Sequence, residues 1–532
     1  MSEALVTEAR TVLDELRTIL DADGVVTDSA TLALYGHDVY RAGEPLLAVL
    51  RPTSADEVQA IMPVLGAFDT DVIARGGGMS YTDTYLAKNA GAVIIDLSRM
   101  NRVVEINTDD MYVTVECGCT WKELADALQP HGVRTGYWGP LSGLRATIGG
   151  ALSQGSVFLG SGQHGSAADN VQSLDVIDAS GELIRTGAAV NTHAKPFYRN
   201  YGPDLTGLFT GDCGALGVKV QATLPLKTVS PEARFASFSY PSADALLTTM
   251  AALAREDLVS ECFAFDPGLQ AQRLKRASLM EDVKSLARVV KGSGSVLRGI
   301  GESVKIAAAG RRFLDEADFS MHVSLDGRSA IDADDKLRRV REIASEKGNE
   351  VENTIPKVMR ADPFANVNSM LGPNGERWAP VHGLVPLSDA PAVYNACEAV
   401  FTRHADAIAA TGIDTGVLMC TVSSSATLVE PCLYWPDTRP LMQSETMDSD
   451  YLAKLDTYEE NLPGRRLVAT LRQELTTVLN EAGATHFQIG KYYPYRDSAN
   501  TGAKALLDAI KQHLDARGGL NPGALGLDKS GK

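Results

Sequence analysis

The chain has 532 residues, of which 44% are hydrophobic and 22% charged, a composition typical of a globular protein with two or three cores. Its formal net charge of −17 argues against a surface for nucleic acid or anionic membranes, because both need an excess of lysine and arginine. The seven cysteines have no C-x-x-C spacing, so we expect free thiols in a reducing compartment and neither a disulfide framework nor a zinc site.

Residues 1–44 are assigned to a helical lead-in, because apolar residues recur at helical spacing from Leu5 to Leu20. The first residues lack the basic and apolar regions of a secretory signal, and no apolar run reaches membrane-spanning length. We therefore expect a cytoplasmic protein with no integral membrane segment. From residue 45 onward, strand patterns alternate with capped helices, which indicates mixed α/β structure.

The most informative stretch is an apolar run that breaks into three glycines, Val72-Ile73-Ala74-Arg75-Gly76-Gly77-Gly78-Met79-Ser80-Tyr81. Bare backbone can turn sharply and present peptide N–H groups to a diphosphate, where Cβ atoms would obstruct the contact. The spacing is neither G-x-G-x-x-G nor the Walker pattern, so it predicts neither a Rossmann fold nor a P-loop. From this run alone, an ordinary strand-to-loop turn stays an equal alternative.

A second glycine cluster runs from Leu141 to Gly150 and is followed by a third at 211–217. These glycines alternate with strand patterns rather than with serine and proline, so they are not linker. Beyond residue 227 the glycines thin out, which indicates a second domain. Within it, residues 273–314 are rich in lysine and arginine. A docking surface for a partner or membrane explains this stretch, but we favour a solvated helical hairpin.

Five segments in this order resemble the flavoprotein family of vanillyl-alcohol oxidase and p-cresol methylhydroxylase (PCMH). They are Arg75–Ser80, Ala146–Gly150, Ala168–Val171, Gly211–Gly217 and Leu514–Gly523. The resemblance implies an α+β fold with a PCMH-type two-part FAD-binding domain at 45–227. It also implies a substrate (cap) domain at 228–485, built on an antiparallel sheet flanked by helices, and a C-terminal segment at 486–532 that returns to the FAD-binding domain.

In that family the two glycine clusters hold the diphosphate and the isoalloxazine of FAD, whose ring supplies the electron sink that side chains lack. The implied cofactor-binding residues are Arg75, Gly76, Gly77, Gly78, Met79, Ser80, Pro140, Ser142, Thr147, Gly149, Gly150, Ser153, Gly217, Val218 and Asn521. Many members attach FAD through a histidine where this chain has Met79. The other attachment positions, near Val429–Cys432 and Leu141–Arg145, also lack the required residue. Noncovalent FAD is therefore expected.

The two branches of the family that oxidise small molecules are matched unequally. The phenol-oxidising branch carries an aspartate near Pro140 and a Tyr-Arg pair near Gly483, and this chain has neither. The branch that oxidises D-2-hydroxy acids, with cytochrome-linked D-lactate dehydrogenase and glycolate oxidase, looks closer around residues 117–165. Its metal-binding glutamate is replaced by Thr485, so no metal is expected.

The resemblance places His486 in a family motif, and an imidazole can accept a hydroxyl proton near neutral pH, so His486 is the first candidate for the general base. His382 is the second and weaker candidate. A core role explains His486 equally well, and it is the favoured explanation for His382. Arg145 and Arg496 are candidates for holding a substrate carboxylate or for stabilising reduced flavin, with surface ion pairs as the alternative. The aromatic residues expected in a substrate pocket, or simply in packing, are Tyr137, Trp138, Tyr434, Tyr492 and Tyr493.

These features predict an FAD-dependent dehydrogenase or oxidase acting on the CH–OH group of a small alcohol, most simply a 2-hydroxy acid, by hydride transfer to flavin N5. Oxygen, a quinone or a cytochrome would accept the electrons, and a homodimer is the default assembly. Oxidation of para-substituted phenols or lignin-derived aryl alcohols is the alternative within this class. A non-redox lyase or synthase containing FAD, and a binding protein that has lost FAD, are the alternatives outside it.

Overall fold

The computed structural model describes residues 3–277, 319–364 and 366–529. Most of the basic stretch at 273–314 therefore lies outside the described residues, and its two interpretations stay open. The described residues form three β-sheets covered by helices, in agreement with the expected α+β class. No described helix combines the length and apolar composition that crossing a membrane requires.

The first sheet has the order β1-β2-β4-β3, in which β2, β4 and β3 are parallel. Its strands are β1 Val25–Val26, β2 Leu46–Leu50, β3 Val72–Arg75 and β4 Ala92–Asp96. Its helices are α1 Glu3–Ile19, α2 Ser29–Tyr35 and α3 Ala55–Ala67. The Ser54 side chain caps α3 by accepting a hydrogen bond from the Glu57 amide. The first glycine run leaves the carboxyl end of β3.

The second sheet is antiparallel, with the order β5-β6-β10-β8-β9 and β7 paired to β10. Its strands are β5 Val103–Asn107, β6 Tyr112–Glu116, β7 Val133–Thr135, β8 Ser173–Ile177, β9 Leu183–Arg185 and β10 Val218–Thr228. Its helices are α4 Trp121–Leu128, α5 Ile148–Gln154, α6 Ser161–His164 and α7 Leu205–Leu208. Thr120 and Glu123 form a capping box that starts α4.

The third sheet, called the large sheet below, has eight antiparallel strands in the order β14-β11-β13-β12-β17-β18-β15, with β16 paired to β18. They are β11 Glu232–Tyr240, β12 Glu261–Phe265, β13 Phe319–Gly327, β14 Asn349–Val351, β15 Arg377–Pro380, β16 Gly383–Pro386, β17 Asp414–Val422 and β18 Ala426–Trp435. The sheet confirms the antiparallel, helix-flanked architecture expected for the substrate domain.

The helices that accompany and follow the large sheet are α8 Ala243–Arg255, α9 Pro267–Ala277, α10 Ala330–Ala344, α11 Thr354–Ala361, α12 Ala390–Arg403, α13 Ala405–Thr411, α14 Leu441–Thr446, α15 Ser449–Leu452, α16 Leu462–Glu481, α17 Tyr495–Ser498 and α18 Thr501–Leu514. The 3₁₀ turns are Leu97–Arg99, Gln129–His131, Ala167–Asn170, Gly187–Val190, Asn368–Met370 and Ala524–Gly526.

Two large hydrophobic cores organise these layers. One joins α1, α3 and the first two sheets, with Leu16, Ile61 and Trp121 fully buried in it. The other lies between one face of the large sheet and helices α8, α10, α12 and α16. The opposite face of β18 is not covered by these helices. That uncovered face forms a wall of the site described below.

The C-terminal segment packs back onto the first sheet through Asn521. The Asn521 backbone N–H donates to the Val72 carbonyl oxygen at 2.8 Å, and its side-chain Nδ2 donates to the carbonyl oxygens of Thr84 (2.9 Å) and Cys213 (2.6 Å). The Asn521 side chain is fully buried. One residue thus joins three segments that are far apart in sequence.

Replacing Asn521 by alanine is expected to lower the free energy of unfolding by about 2–4 kcal/mol, because two buried carbonyl groups lose their donor. Urea denaturation followed by circular dichroism measures the change. The control is Asn101→Ala, at an exposed position, where we expect a change within about 0.5 kcal/mol. Equal midpoints for the two variants would show that Asn521 does not hold the three segments together.

Candidate functional site

The two glycine clusters lie in direct contact. A Cβ atom at Gly77 would stand 1.8 Å from the carbonyl oxygen of Arg145, and one at Gly76 would stand 2.1 Å from Oγ1 of Thr147. Gly78 adopts φ of +72°, a left-handed conformation that side chains disfavour. The glycines are therefore required by the close packing of one loop on the other as well as by any ligand.

Both clusters line a cavity of about 900 Å³, called the glycine-loop cavity below. Nearly all of the expected cofactor-binding residues lie on its wall: Arg75, Gly76, Gly77, Gly78, Met79, Ser80, Pro140, Ser142, Thr147, Gly149, Gly150, Ser153 and Gly217. Val218 and Asn521 were expected there but do not line the cavity. Val218 begins β10, and Asn521 supports the wall from behind.

Several wall residues were missed by the sequence analysis, among them Thr84, Tyr85, Gln154, Lys219 and Gln488. Thr84 and Tyr85 follow the first glycine run closely, so proximity in sequence was a usable signal. Gln488 stands two residues after His486, in a segment that had been singled out for its histidine. No local pattern marked Gln154 or Lys219.

The charges around the glycine-loop cavity suit an anion. No aspartate or glutamate is on its wall within the described part of the chain, whereas Arg75 and Lys219 are. The Arg75 guanidinium lies over the rings of Tyr35 (4.3 Å) and Tyr85 (5.2 Å), and its buried Nε has no hydrogen-bond partner among the described residues. A diphosphate therefore fits the donors that are present.

Arg145 and Lys219 differ in how their charges are compensated. Burial, and then the neighbouring Arg75, lower the pKa of Arg145, which is not on the cavity wall. Lys219 already donates a 2.5 Å hydrogen bond to Asp212 in a buried ion pair. Lys219 is therefore a paired group on the wall, whereas Arg75 forms no ion pair with any residue that the structure describes.

A second cavity of about 1130 Å³, called the sheet cavity below, adjoins the first. The two cavities share five wall residues: Met79, Pro140, Ser142, Ser156 and Gln488. One face of β18 forms the opposite wall, because alternate residues of a strand point the same way. These residues are Leu428, Glu430, Cys432 and Tyr434.

The wall of the sheet cavity is largely apolar and aromatic. Its other large side chains include Tyr81, Phe158, Met370, Trp378 and Phe487. Glu430 is the one carboxylate, and no lysine or arginine is present, among the wall residues that the structure describes. The pKa of Tyr81 is raised by burial and then by the nearby Glu430, so its phenol is neutral at physiological pH.

Neither candidate histidine lies on the wall of either cavity. His382 is fully buried between β15 and β16, and its ring stacks at 4.0 Å on that of Phe487, which lines the sheet cavity. His486 stacks on Tyr493, and its Nδ1 donates to the His382 carbonyl oxygen at 2.7 Å. Burial lowers the pKa of both imidazoles. Their placement suits neutral rings packed behind the wall.

The two candidate arginines are also off the cavity walls. Arg496 forms a 2.7 Å ion pair with Asp508 and is partly exposed, which is the surface alternative considered for it. Arg145 contributes its backbone to the glycine-loop contact, and its buried Nε has no partner among the described residues. The sequence analysis expected either guanidinium to hold a substrate carboxylate or to stabilise reduced flavin, and neither residue is on the described wall of a cavity.

Of the five aromatic residues expected in a substrate pocket, all of which the structure describes, only Tyr434 lies on the wall of the sheet cavity. The other four are packed behind it. The Tyr137 hydroxyl donates to Ser156, Trp138 Nε1 donates to Glu261, and Tyr493 accepts from the His382 amide. Tyr492 lies against the guanidinium of Arg472. No group of three or more metal-ligating side chains occurs in the described ranges.

Gly77→Ala is expected to weaken FAD binding by at least about tenfold, or ~1.4 kcal/mol, because the new Cβ would push the two loops apart. Titration of the apoprotein, followed by flavin fluorescence, measures the dissociation constant. Gly502→Ala is the matched control, since a Cβ there meets its nearest atom at 3.4 Å. An unchanged FAD affinity in Gly77→Ala would contradict the assignment of the cavity.

Comparison with known proteins agrees with this geometry. A family model described as an FAD binding domain matches residues 46–187. A mitochondrial D-lactate dehydrogenase (cytochrome) from Arabidopsis thaliana is 31% identical over 250 residues, which cover 45% of this chain and 41% of that protein. The chain thus spans less than half the length of this curated relative.

Solved structures match over nearly the whole chain. p-Cresol methylhydroxylase with substrate bound superimposes with a TM-score of 0.72 at 17% identity, covering 98% of this chain and 97% of that one. Alkyldihydroxyacetonephosphate synthase gives a TM-score of 0.68 at 14% identity, covering 96% and 84%. Identities this low show a shared fold. Residues 46–187 are thus an FAD-binding domain within a chain that has the p-cresol methylhydroxylase fold, and the resemblance to that flavoprotein family is confirmed.

Proposed function

We propose that this protein is an FAD-dependent oxidoreductase that binds its substrate in the sheet cavity. The observation that carries the proposal is the continuity of the two cavities through Met79, Pro140, Ser142, Ser156 and Gln488. Bound FAD supplies a hydride acceptor. The wall residues hold the substrate next to it and exclude water from the apolar pocket.

Glu430 is our candidate for the general base. It faces the sheet cavity from β18, and a carboxylate within reach of a substrate hydroxyl can accept its proton. The sequence proposed His486 and His382 for this role, but neither residue lines the described wall of either cavity. Glu430 therefore takes the role proposed for them.

The substrate we favour is an uncharged aromatic alcohol. Trp378, Tyr81 and Tyr434 offer flat apolar surface, while the described wall has no cation that would pair with a carboxylate. p-Cresol methylhydroxylase, a protein of the same fold, has been solved with its substrate bound. This proposal ranks the aryl alcohols above the 2-hydroxy acids favoured by the sequence.

A 2-hydroxy acid is the second candidate, and it is favoured by the D-lactate dehydrogenase relative. That similarity covers less than half of either chain, so it bears on the FAD-binding domain more than on the substrate cavity. A lyase or synthase is suggested by the shared fold of alkyldihydroxyacetonephosphate synthase. The electron acceptor and the homodimer stay predictions.

Anaerobic mixing of the holoenzyme with single substrates distinguishes these candidates. We expect vanillyl or cinnamyl alcohol to bleach the flavin absorbance and D-lactate to leave it unchanged, because the described pocket wall has no carboxylate-binding cation. Bleaching by D-lactate alone would reverse this ranking. Turnover without any electron acceptor would instead favour the lyase or synthase.

Glu430→Gln is expected to lower the rate constant of flavin reduction by the bleaching alcohol by about 10²–10⁴-fold, the usual contribution of a general base. The amide keeps the shape of the side chain but does not accept the proton. Rapid-mixing absorbance of the flavin gives the rate. Glu398→Gln on α12, which covers the opposite face of the large sheet, is the control and should retain the wild-type rate. Equal rates for both variants would remove Glu430 from the mechanism.

FAD is proposed to be bound noncovalently. Met79 stands on both walls, and no histidine is on the described wall of either cavity. Burial raises the pKa of the Cys117 and Cys213 thiols to about 12, so neither is a nucleophilic thiolate at neutral pH.

Acid precipitation is therefore expected to leave yellow flavin in the supernatant and a colourless pellet, because no bond links the ring to the chain. The absorbance of the two fractions measures the release. Flavin that stays with the pellet, and that resists washing with denaturant, would mean covalent attachment.

A further inference from the structure

A buried network of charges joins the loop after β7 to the large sheet. Arg360, on α11, donates to Glu261 (2.7 Å), to Asp326 (2.9 Å) and to the Ser260 hydroxyl (2.9 Å). Arg134, on β7, donates to the other oxygen of Asp326 at 2.7 Å. Two guanidinium groups and two carboxylates thus neutralise one another at this contact, with all four side chains at most 19% exposed.

Trp138 lies within this network. Its Nε1 donates to Glu261 at 3.3 Å, and the guanidinium carbons of Arg134 and Arg360 lie 5.6 and 5.3 Å from its ring centroid. Glu261 also accepts from the Gly160 amide at 3.1 Å. The indole is therefore fixed by one hydrogen bond and two cation–π contacts.

Phe364 extends the contact toward the cavities. Its ring is so close to Gly143 that a Cβ there would stand 2.4 Å away, and it meets Trp138 edge to face at 6.2 Å. The loop between Trp138 and Gly143 contains Pro140 and Ser142, which line both cavities. On the other side, Met370 and Leu371 follow Phe364 and line the sheet cavity.

We propose that Arg360 is a positioning residue for the substrate cavity. By binding Glu261 and Asp326 while lying against Trp138, it holds residues 138–143 at a fixed separation from a second segment, which comprises the described residues 364 and 366–371. These two segments contribute to the wall of the sheet cavity, so Arg360 sets the width of that cavity without touching the substrate. Phe364 transmits the constraint to Gly143. The effect of Arg360 on substrate binding rests on the proposed function, whereas its effect on the position of residues 138–143 does not.

Arg360→Met tests the proposal, since methionine fills similar space without charge or hydrogen bonds. We expect the backbone amides of residues 138–146 to exchange with deuterium at least ten times faster, measured by mass spectrometry of the holoenzyme. KM for the alcohol that bleaches the flavin should rise at least tenfold, with kcat within threefold of wild type. Arg360→Lys keeps the charge but lacks the two-pronged geometry of the guanidinium. Its exchange rate and KM should lie between those of the wild type and of Arg360→Met.

Phe364→Leu leaves no charge unpaired and decides the question if Arg360→Met does not fold. Like Arg360→Met, it should speed deuterium exchange at residues 138–146 and raise KM. Arg338→Met removes an exposed arginine from α10 and should change neither. Wild-type exchange at 138–146 in the folded variants would overturn the proposal. A lower apparent kcat with unchanged KM, which loss of folded enzyme produces, would also overturn it. If no alcohol bleaches the wild-type flavin, the proposed function fails, and deuterium exchange still decides whether Arg360 holds the loop.

Discussion

The contact between the two glycine clusters is the constraint on which the site depends. Gly76 and Gly77 bring the backbone of one loop against Thr147 and the carbonyl of Arg145, at distances that no side chain permits. This closeness places both loops on one cavity wall. Asn521 reinforces it by joining β3, Thr84 and Cys213 from the other end of the chain. The glycine-loop cavity thus depends on glycines, which have no side chain to separate the loops, and on hydrogen bonds between segments that are distant in sequence.

The large sheet divides its two faces between stability and binding. On β18, Val429, Leu433 and Trp435 point into the helix-covered core, while Glu430 and its alternate neighbours point into the sheet cavity. The period of two along a strand makes this division automatic. A polar residue such as Glu430 is tolerated on the cavity face, because a substrate or water can meet it there. On the core face it would be buried among aliphatic side chains.

Two kinds of buried charge that the site contains have different roles. Lys219 with Asp212, and Arg360 with Glu261 and Asp326, are paired and hydrogen-bonded, which is how a protein retains charge away from water. Arg75 instead has aromatic rings around its guanidinium and a buried Nε with no partner among the described residues. A paired network holds segments together, and an unpaired cation on a cavity wall suits an anionic ligand. The charges at Arg360 are paired and position two segments, whereas Arg75 in the glycine-loop cavity is placed to bind an anion.

Local signals in the sequence were sufficient for the elements and for the glycine-loop cavity. The strand Tyr112–Glu116 follows an alternating pattern, and the helix Trp121–Leu128 begins after a capping threonine, so both elements carry a signal in the local sequence. The glycine clusters were recognisable because backbone geometry restricts residue choice locally. The substrate side was not predictable in this way: His486 and four of the five aromatic residues pack behind the wall, and Glu430 was overlooked. Which strand face meets a cavity, and which distant segments enclose it, is decided by the packing of whole sheets, and no local pattern encodes that.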